Sequence, residues 1–304
     1  MRVDTTRSGL RALLAACALP AVLVATSCGQ PSFDGEAAMA LIEKQCAFGP
    51  RNPGSPGHEA MLGWLVETVG EQTPHVSVQR FTVEGPGGTF ELTNVIASFR
   101  PTERNRVLLC AHWDTRAVAD RDPDPARRGT PIPGANDGGS GVAVLLELAR
   151  LMAERPPALG VDLVFFDGED GGDGGGLGDW CVGSSYYASR IGEYAPGFAV
   201  VIDMIGDADL EIPREPNSMR SAPSVVERVW GAARAAGATS FTDREGPGMY
   251  DDHVPLLRAG IPAIVVIDPH YRYWHTVEDT PDKCSPQSLD EVGATLLELV
   301  YRPS

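Results

Sequence analysis

Apolar and polar positions follow two rhythms along this chain. Val76–Val83 and Thr89–Phe99 alternate apolar with polar residues around Gly85-Pro86-Gly87-Gly88. That pattern predicts an antiparallel pair. Further on, short near-continuous apolar runs replace the alternation: Arg106–Ala111, Val161–Phe166, Phe198–Ile202 and Ile261–Ile267. Amphipathic stretches lie among them and predict helices over Gly141–Ala153, Ser184–Ile191, Ser224–Ala236, Asp252–Ala259 and Pro286–Tyr301. Residues 36–47 and His58–Glu71 read as two earlier helices, joined by a turn-rich loop over Phe48–Gly57. Solidly apolar strands separated by amphipathic helices predict an α/β fold, a mostly parallel sheet covered on both faces. No internal repeat or second domain is visible. Residues 120–133 and 205–221 read as long irregular loops, where function often sits.

The N-terminus breaks this pattern. Arg2, Arg7 and Arg11 precede an apolar run, Ala12–Val24, too short to span a bilayer comfortably. Ala25-Thr26-Ser27-Cys28 follows and resembles a bacterial lipoprotein cleavage site with Cys28 as the lipidated residue. The expectation is a signal peptide over 1–27, a linker over 28–35 and a folded domain over 36–304. The mature protein is then an exported lipoprotein at the periplasmic face of a bacterial membrane. Gly29 after the Cys favours the outer membrane. An exported chain can form disulfides. Cys110 lies inside an apolar run and reads as a buried thiol. Cys46 and Cys284 read as polar-loop residues that could pair, and the sequence leaves that open.

Composition narrows the function. The chain has 304 residues, 43% of them hydrophobic, enough for a sizeable core. Its formal net charge is −16, and no Lys/Arg cluster marks a nucleic-acid face. Removal of residues 1–27, with three Arg and one Asp, makes it more acidic still.

The acids and histidines are not scattered. Val164–Gly176 reads V-F-F-D-G-E-D-G-G-D-G-G-G, with Asp167, Glu169, Asp170 and Asp173 crowded behind an apolar run. Like charges so close cost stability unless a cation sits among them. Ligands of open α/β sheets bind beyond the carboxyl ends of the strands. Those ends deliver His112-Trp113-Asp114, then Asp167–Asp170, then Asp203, then a short loop from Asp268 to His275. Asp137 lies just ahead of a helix in Pro133-Gly134-Ala135-Asn136-Asp137-Gly138-Gly139-Ser140-Gly141. Histidine with carboxylate and no cysteine is the donor set of catalytic zinc and related ions, so zinc is the expected cation. Glu169 and Asp170 are neighbours on extended chain and point to different sides, so one can bind metal while the other stays free as a base. Asp173 and its glycines read as a solvated, flexible loop.

These stretches together resemble metallopeptidase family twenty-eight, and within it the glutaminyl cyclases. The residues that carry the resemblance are R-N-P-G-S-P-G (51–57), L-L-C-A-H-W-D-T (108–115), I-P-G-A-N-D-G-G-S-G (132–141), V-F-F-D-G-E-D (164–170), V-I-D-M-I-G-D (201–207), D-D-H-V-P-L-L-R-A-G-I-P (251–262) and Y-W-H-T (273–276). The resemblance implies a single three-layer α/β/α domain with a mixed, mostly parallel sheet. It implies Asp137, Asp170 and His275 as zinc ligands and Glu169 as general acid/base. His112 and Asp203 are the candidates for a second metal in the peptidases. In the cyclases, Asp203 and Asp251 belong instead to a hydrogen-bond network that handles the substrate amine. Trp274 corresponds to a pocket-wall tryptophan, and Trp180 and Tyr273 are further expected substrate-binding residues. Some positions depart from the cyclase pattern. Asp170 replaces a typical Glu, Val265 stands where animal cyclases carry histidine, and Ala111 and Val142 occupy the sites of their cysteine bridge.

Two chemistries are thereby implied for one site. A cyclase with one zinc converts N-terminal glutamine of peptides to pyroglutamate with release of ammonia. An aminopeptidase with two zincs hydrolyses the N-terminal residue. A zinc-binding lipoprotein without catalysis is the third class. The expected partners are peptide or protein N-termini and, through Cys28, a membrane. No nucleic acid is expected, and the protein is expected to be a monomer.

Overall fold

The structure, a computed structural model, describes residues 1–2, 31–192 and 196–302. Cys28 and nearly all of the expected signal segment lie outside the described residues. The chain first forms helices α1 (Gly35–Cys46) and α2 (Pro56–Gln72). Asp34 caps the first by accepting from the Ala37 N–H, and Ser55 caps the second by accepting from the His58 N–H. These side-chain oxygens satisfy amides that have no partner in the first helical turn. Strands β1 (Val76–Gly85) and β2 (Gly88–Phe99) form the expected antiparallel pair. Then follow β3 (Arg106–His112), α3 (Gly139–Glu154), β4 (Gly160–Phe166), α4 (Val182–Ser189) and β5 (Phe198–Asp203).

The order of the main sheet is β1-β2-β4-β3-β5, with β8 (Ala263–Ile267) at the far edge. β4, β3, β5 and β8 are parallel, and β2 runs antiparallel to β4. Strands β3, β4, β5 and β8 are buried at every position, which is why their sequences are solidly apolar rather than alternating. Helices α1, α2, α3, α6 (Pro223–Ala236) and α8 (Pro286–Tyr301) cover one face. Helices α4 and α7 (His253–Arg258) cover the other. Two apolar cores therefore sandwich the sheet, one on each side. No described helix is long and apolar enough to cross a membrane.

The stretch read as an irregular loop at 205–221 contains strand β6 (Ile212–Arg214) and helix α5 (Pro216–Ser221), and β6 pairs with β7 (Phe241–Glu245). Elements of three to six residues are too short to display either periodicity. The last strand begins at Ala263 rather than Ile261, because the Ile261 amide donates to Leu256 O at the end of α7 and Pro262 has no amide to give. Cys46, Cys110, Cys181 and Cys284 are free thiols, and Cys46 ends α1 instead of lying in a loop.

Candidate metal centre and cavity

The parallel strands deliver their polar ends to one rim. His112 is the last residue of β3, and its Nε2 lies 3.2 Å from Asp203 Oδ1, the last residue of β5. The same nitrogen lies 3.3 Å from Asp137 Oδ1. Across Asp137, His275 Nε2 lies 3.3 Å from Asp170 Oδ1 and 3.8 Å from Asp137 Oδ2. Two buried groups of donor atoms result, His112–Asp137–Asp203 and Asp137–Asp170–His275, each with its atoms within 4.8 Å of one another. Asp137 belongs to both. Asp137 Oδ2 and Asp170 Oδ2 are buried without a hydrogen-bond partner. A buried carboxylate oxygen left so is costly unless it binds something. Two orphaned oxygens beside an imidazole nitrogen fit a divalent cation.

Local folding fixes these positions. Gly138 takes φ +84° at the start of α3, and a Cβ there would stand 2.8 Å from Asp114 O and 3.0 Å from His112 Cε1. Only glycine lets the chain turn into α3 with Asp137 this close to His112. Met204, Cys181 and His275 hold left-handed backbone without being glycine, at φ 48°, 55° and 55°. Such strain gathers where surrounding structure imposes an orientation.

A second tier of side chains holds the ligand loops, and sequence reasoning assigned it no role. Asp114 is fully buried and accepts the backbone N–H of Glu169 at 3.0 Å and of Asp170 at 3.2 Å. The Asp279 carboxylate accepts from the Asn136 and Asp137 amides at 2.9 and 3.1 Å and from Tyr271 Oη at 2.7 Å. Burial, with Asp137 nearby, pushes its pKa up to about 7. Arg51, with no exposed surface, donates to the carbonyls of Trp113, Pro133 and Gly134 and braces the turn ahead of Asp137. Arg116 donates to the carbonyls of Asp170 and Gly172 and stacks 4.6 Å over Trp180. Asp167, the first acid of the crowded segment, sits away from the ligand atoms. It accepts from His58 Nε2 at 2.9 Å and from the Thr93 amide at 2.6 Å.

A cavity of about 330 Å³ opens over the rim. Glu169, Asp203 and Asp251 line it together with Asp137 and His275, and Trp180 and Trp274 form aromatic walls. The Trp180 ring lies parallel to His275 at 6.0 Å, and Trp274 packs on that imidazole at 4.1 Å. Tyr273 does not line the cavity. The loop turns its ring onto Tyr271, 5.8 Å away. The glycine-rich segment after Asp170 is a close-packed cradle rather than a merely solvated loop. A Cβ on Gly172 would fall 2.2 Å from the Trp180 indole nitrogen, so glycine is what lets that ring lie back over the chain. Asp173 is exposed at the cavity mouth.

The electrostatics follow from burial. Glu169 is held well above the usual carboxylate range by desolvation, reinforced by Asp170, Asp251 and Asp252. Burial and the Asp203 charge push Asp251 up to about 6. Burial alone would depress His112, but the carboxylates of Asp114, Asp137 and Asp203 around it hold it well above its ordinary value. A concentration of acids this dense is stable around a positive charge.

Comparisons with known proteins agree with this geometry. The model of peptidase family M28 matches residues 94–300. A glutaminyl-peptide cyclotransferase of Bos taurus is 26% identical over 282 residues, 81% of this chain and 76% of the bovine one. Among solved structures, a glutaminyl cyclase of Bacteroides thetaiotaomicron bound to N-acetylhistamine superposes with a TM-score of 0.86 at 35% identity, covering 91% of this chain and all of that one. A Zn-dependent exopeptidase of Parabacteroides distasonis superposes with a TM-score of 0.85 at 36% identity, covering 90% of this chain and 100% of that one. On the matched sheet, the donor atoms at its rim and these relatives, the chain belongs to peptidase family M28.

Proposed function

We propose that the protein is a zinc-dependent glutaminyl-peptide cyclotransferase that converts N-terminal glutamine of peptides to pyroglutamate and ammonia. The observation that carries this reading is the cavity itself. It sets three carboxyl groups, Glu169, Asp203 and Asp251, against a pair of tryptophans in a space of about 330 Å³. That is room for one terminal residue, with acids to manage its amine and flat apolar walls for its side chain.

Asp137, Asp170 and His275 would hold the zinc, which would supply a positive charge to polarise the γ-carbonyl of the glutamine and to favour the ionised form of the neighbouring Glu169. Asp203 and Asp251 accept hydrogen bonds from the neutral α-amino group and aim its lone pair at the γ-carbon. Glu169 takes a proton from the amine as its nitrogen bonds to that carbon, and gives the proton to the departing side-chain nitrogen, which leaves as ammonia. The carbon–nitrogen bond of the side-chain amide breaks and the ring bond forms, so no water is consumed. The attack is intramolecular and needs little beyond orientation. Trp180 and Trp274 exclude water from the cavity.

A second reading has one specific observation in its favour. His112, Asp137 and Asp203 offer a second complete donor group beside the first. With two ions held, Asp203 is no longer free for the amine, and Glu169 serves hydrolysis by an aminopeptidase. The two readings separate in one experiment. The purified protein receives Gln-Xaa and Leu-Xaa peptides, the products are weighed by mass spectrometry, and zinc is counted per chain. One zinc, pyroglutamyl-Xaa from the first peptide and no change in the second are expected. Two tightly held zincs with free Leu as product would overturn cyclisation in favour of hydrolysis.

A further inference from the structure

A second, shallower groove of about 560 Å³ lies beside the cavity, and Gly248, Met249 and Tyr250 form a wall common to both. Its other lining includes Asn217, Leu257 and Arg258. Tyr250 is 46% exposed, and among the described residues the only other exposed large apolar side chains are Met1 and Val78. Arg258 Nη1 donates to Tyr250 Oη at 3.1 Å, and its guanidinium stands 5.3 Å from the ring centroid. Asn217, which also lines the groove, donates from Nδ2 to Met249 O at 2.9 Å, and its Oδ1 accepts from Arg220 Nη2 at 3.3 Å.

The charge of this groove runs against that of the protein. The chain carries a formal net charge of −16, yet no Asp or Glu lines the groove. Among the described residues, neither Arg220 nor Arg258 forms an ion pair with a carboxylate. Both guanidinium groups keep donors free, and guanidinium forks match carboxylates.

We propose that this groove receives the part of a peptide that follows its N-terminal residue, and that it selects a carboxylate there, held by Arg258. The proposal rests on the reading that the terminal residue enters the neighbouring cavity. An extended peptide advances about 3.3 Å per residue, so the residues after the first are those that would cross the Met249–Tyr250 wall. The carboxylate is either an Asp or Glu side chain or the free C-terminus of a short peptide. Tyr250 gives the intervening chain an apolar face to lie on.

Calorimetric binding to the zinc-loaded Glu169→Gln protein tests this without turnover. The ligands are Gln-Ala-Ala-Ala amide, Gln-Ala-Glu-Ala amide, Gln-Ala-Lys-Ala amide and Gln-Ala-Ala-Ala with a free C-terminus. A carboxylate peptide is expected to bind about three- to fivefold more tightly than the neutral amide, the usual worth of an exposed ion pair. The lysine peptide is expected to bind less tightly, and the differences shrink as salt rises. The glutamate and free-acid peptides tell the two carboxylate sources apart. Adding Arg258→Ala should erase the preference. A preference that survives that change, no preference in the starting protein, or no binding by any peptide overturns the groove assignment. The same peptides given to the wild-type enzyme report on the reaction separately. Free N-terminal residue as product ends the cyclisation reading and leaves the carboxylate preference to stand or fall on the binding data.

Discussion

Cys181 Sγ lies 3.2 Å from Glu169 Oε1, and the Cys181 amide also donates to the Glu169 carbonyl at 2.9 Å. One residue thus holds the proposed acid/base by both its main chain and its side chain. Burial, with Glu169 beside it, pushes the thiol pKa well above its usual range, so the sulfur stays a protonated donor. Cys181→Ala is expected to lower kcat about tenfold, the worth of one lost hydrogen bond, with KM and zinc content retained. Cys181→Ser, which restores a donor, should recover most of the rate. Equal rates in the Ala and Ser variants would reduce Cys181 to packing.

Glu169→Gln keeps the shape of the base and removes its proton chemistry. The variant is expected to bind zinc normally and to lose roughly 10²–10⁴-fold in rate. A near-wild-type rate would take Glu169 out of the reaction.

Metal retention should separate two tiers of residues. His275→Ala removes a proposed ligand and is expected to lose zinc while the fold persists by circular dichroism. Asp279→Asn leaves all three ligands in place but disturbs the acceptors of the Asn136 and Asp137 amides. Competition with a chelator should show its zinc affinity lowered by about 10–100-fold. Unchanged affinity in Asp279→Asn would mean that Asp137 holds its place without that carboxylate.

Glu215 gives a pH test away from the metal. It accepts from the amides of Asn217, Ser218 and Met249 and faces His253. These contacts outweigh its burial and hold its pKa down to about 2, against 4.5 for the free side chain. A depressed carboxylate adds stability that is fully present above pH 4.5 and is lost as pH falls toward 2. Glu215→Gln is therefore expected to lower stability at pH 7 by on the order of 2–3 kcal/mol. The gap from wild type should narrow below pH 4.5 in denaturant titrations. A gap constant from pH 7 to pH 3 would contradict this.

The N-terminal sequence makes its own prediction. If Cys28 carries the proposed lipid, wild type fractionates with membranes, and Cys28→Ala appears in the soluble fraction or remains unprocessed. Soluble wild-type protein in the periplasm would remove the anchor.

The parallel strands and their polar ends were legible because burial writes itself as a continuous apolar run, and a run that stops at His112, Asp167 or Asp203 announces where the rim lies. The choice of Asp137, Asp170 and His275 as the first-metal set comes from the family resemblance rather than from the runs themselves, and the structure brings the three together. Arg51, Asp114 and Asp279 carry no role legible in the sequence because they act on backbone atoms of distant segments. Arg51 reaches carbonyls 62 to 83 residues away, and Asp279 reaches amides more than 140 residues away. No local spacing encodes such contacts. Tyr273, expected among the substrate-binding residues, lies outside the cavity lining, because a left-handed residue follows at His275 and the loop turns its ring onto Tyr271 while Trp274 packs on His275. β6, α5 and β7 were missed for lack of length, as their residues show no repeat long enough to read.

Arg51 and Asp279 also set an order of events in the life of the chain. The turn that carries Asp137 is clasped from one side by a residue ahead of the first strand and from the other by a residue after the last. The Arg51 clasp needs the chain only as far as Gly134, but the Asp279 clasp cannot form until nearly the whole polypeptide is in place, and contacts of such long sequence separation form late. A small zinc module can use the ion as the seed of its own folding. Here the donor atoms converge only on a finished sheet, so a zinc ion bound there would be a late guest of an already folded protein, and its supply would govern the proposed activity rather than whether the chain folds.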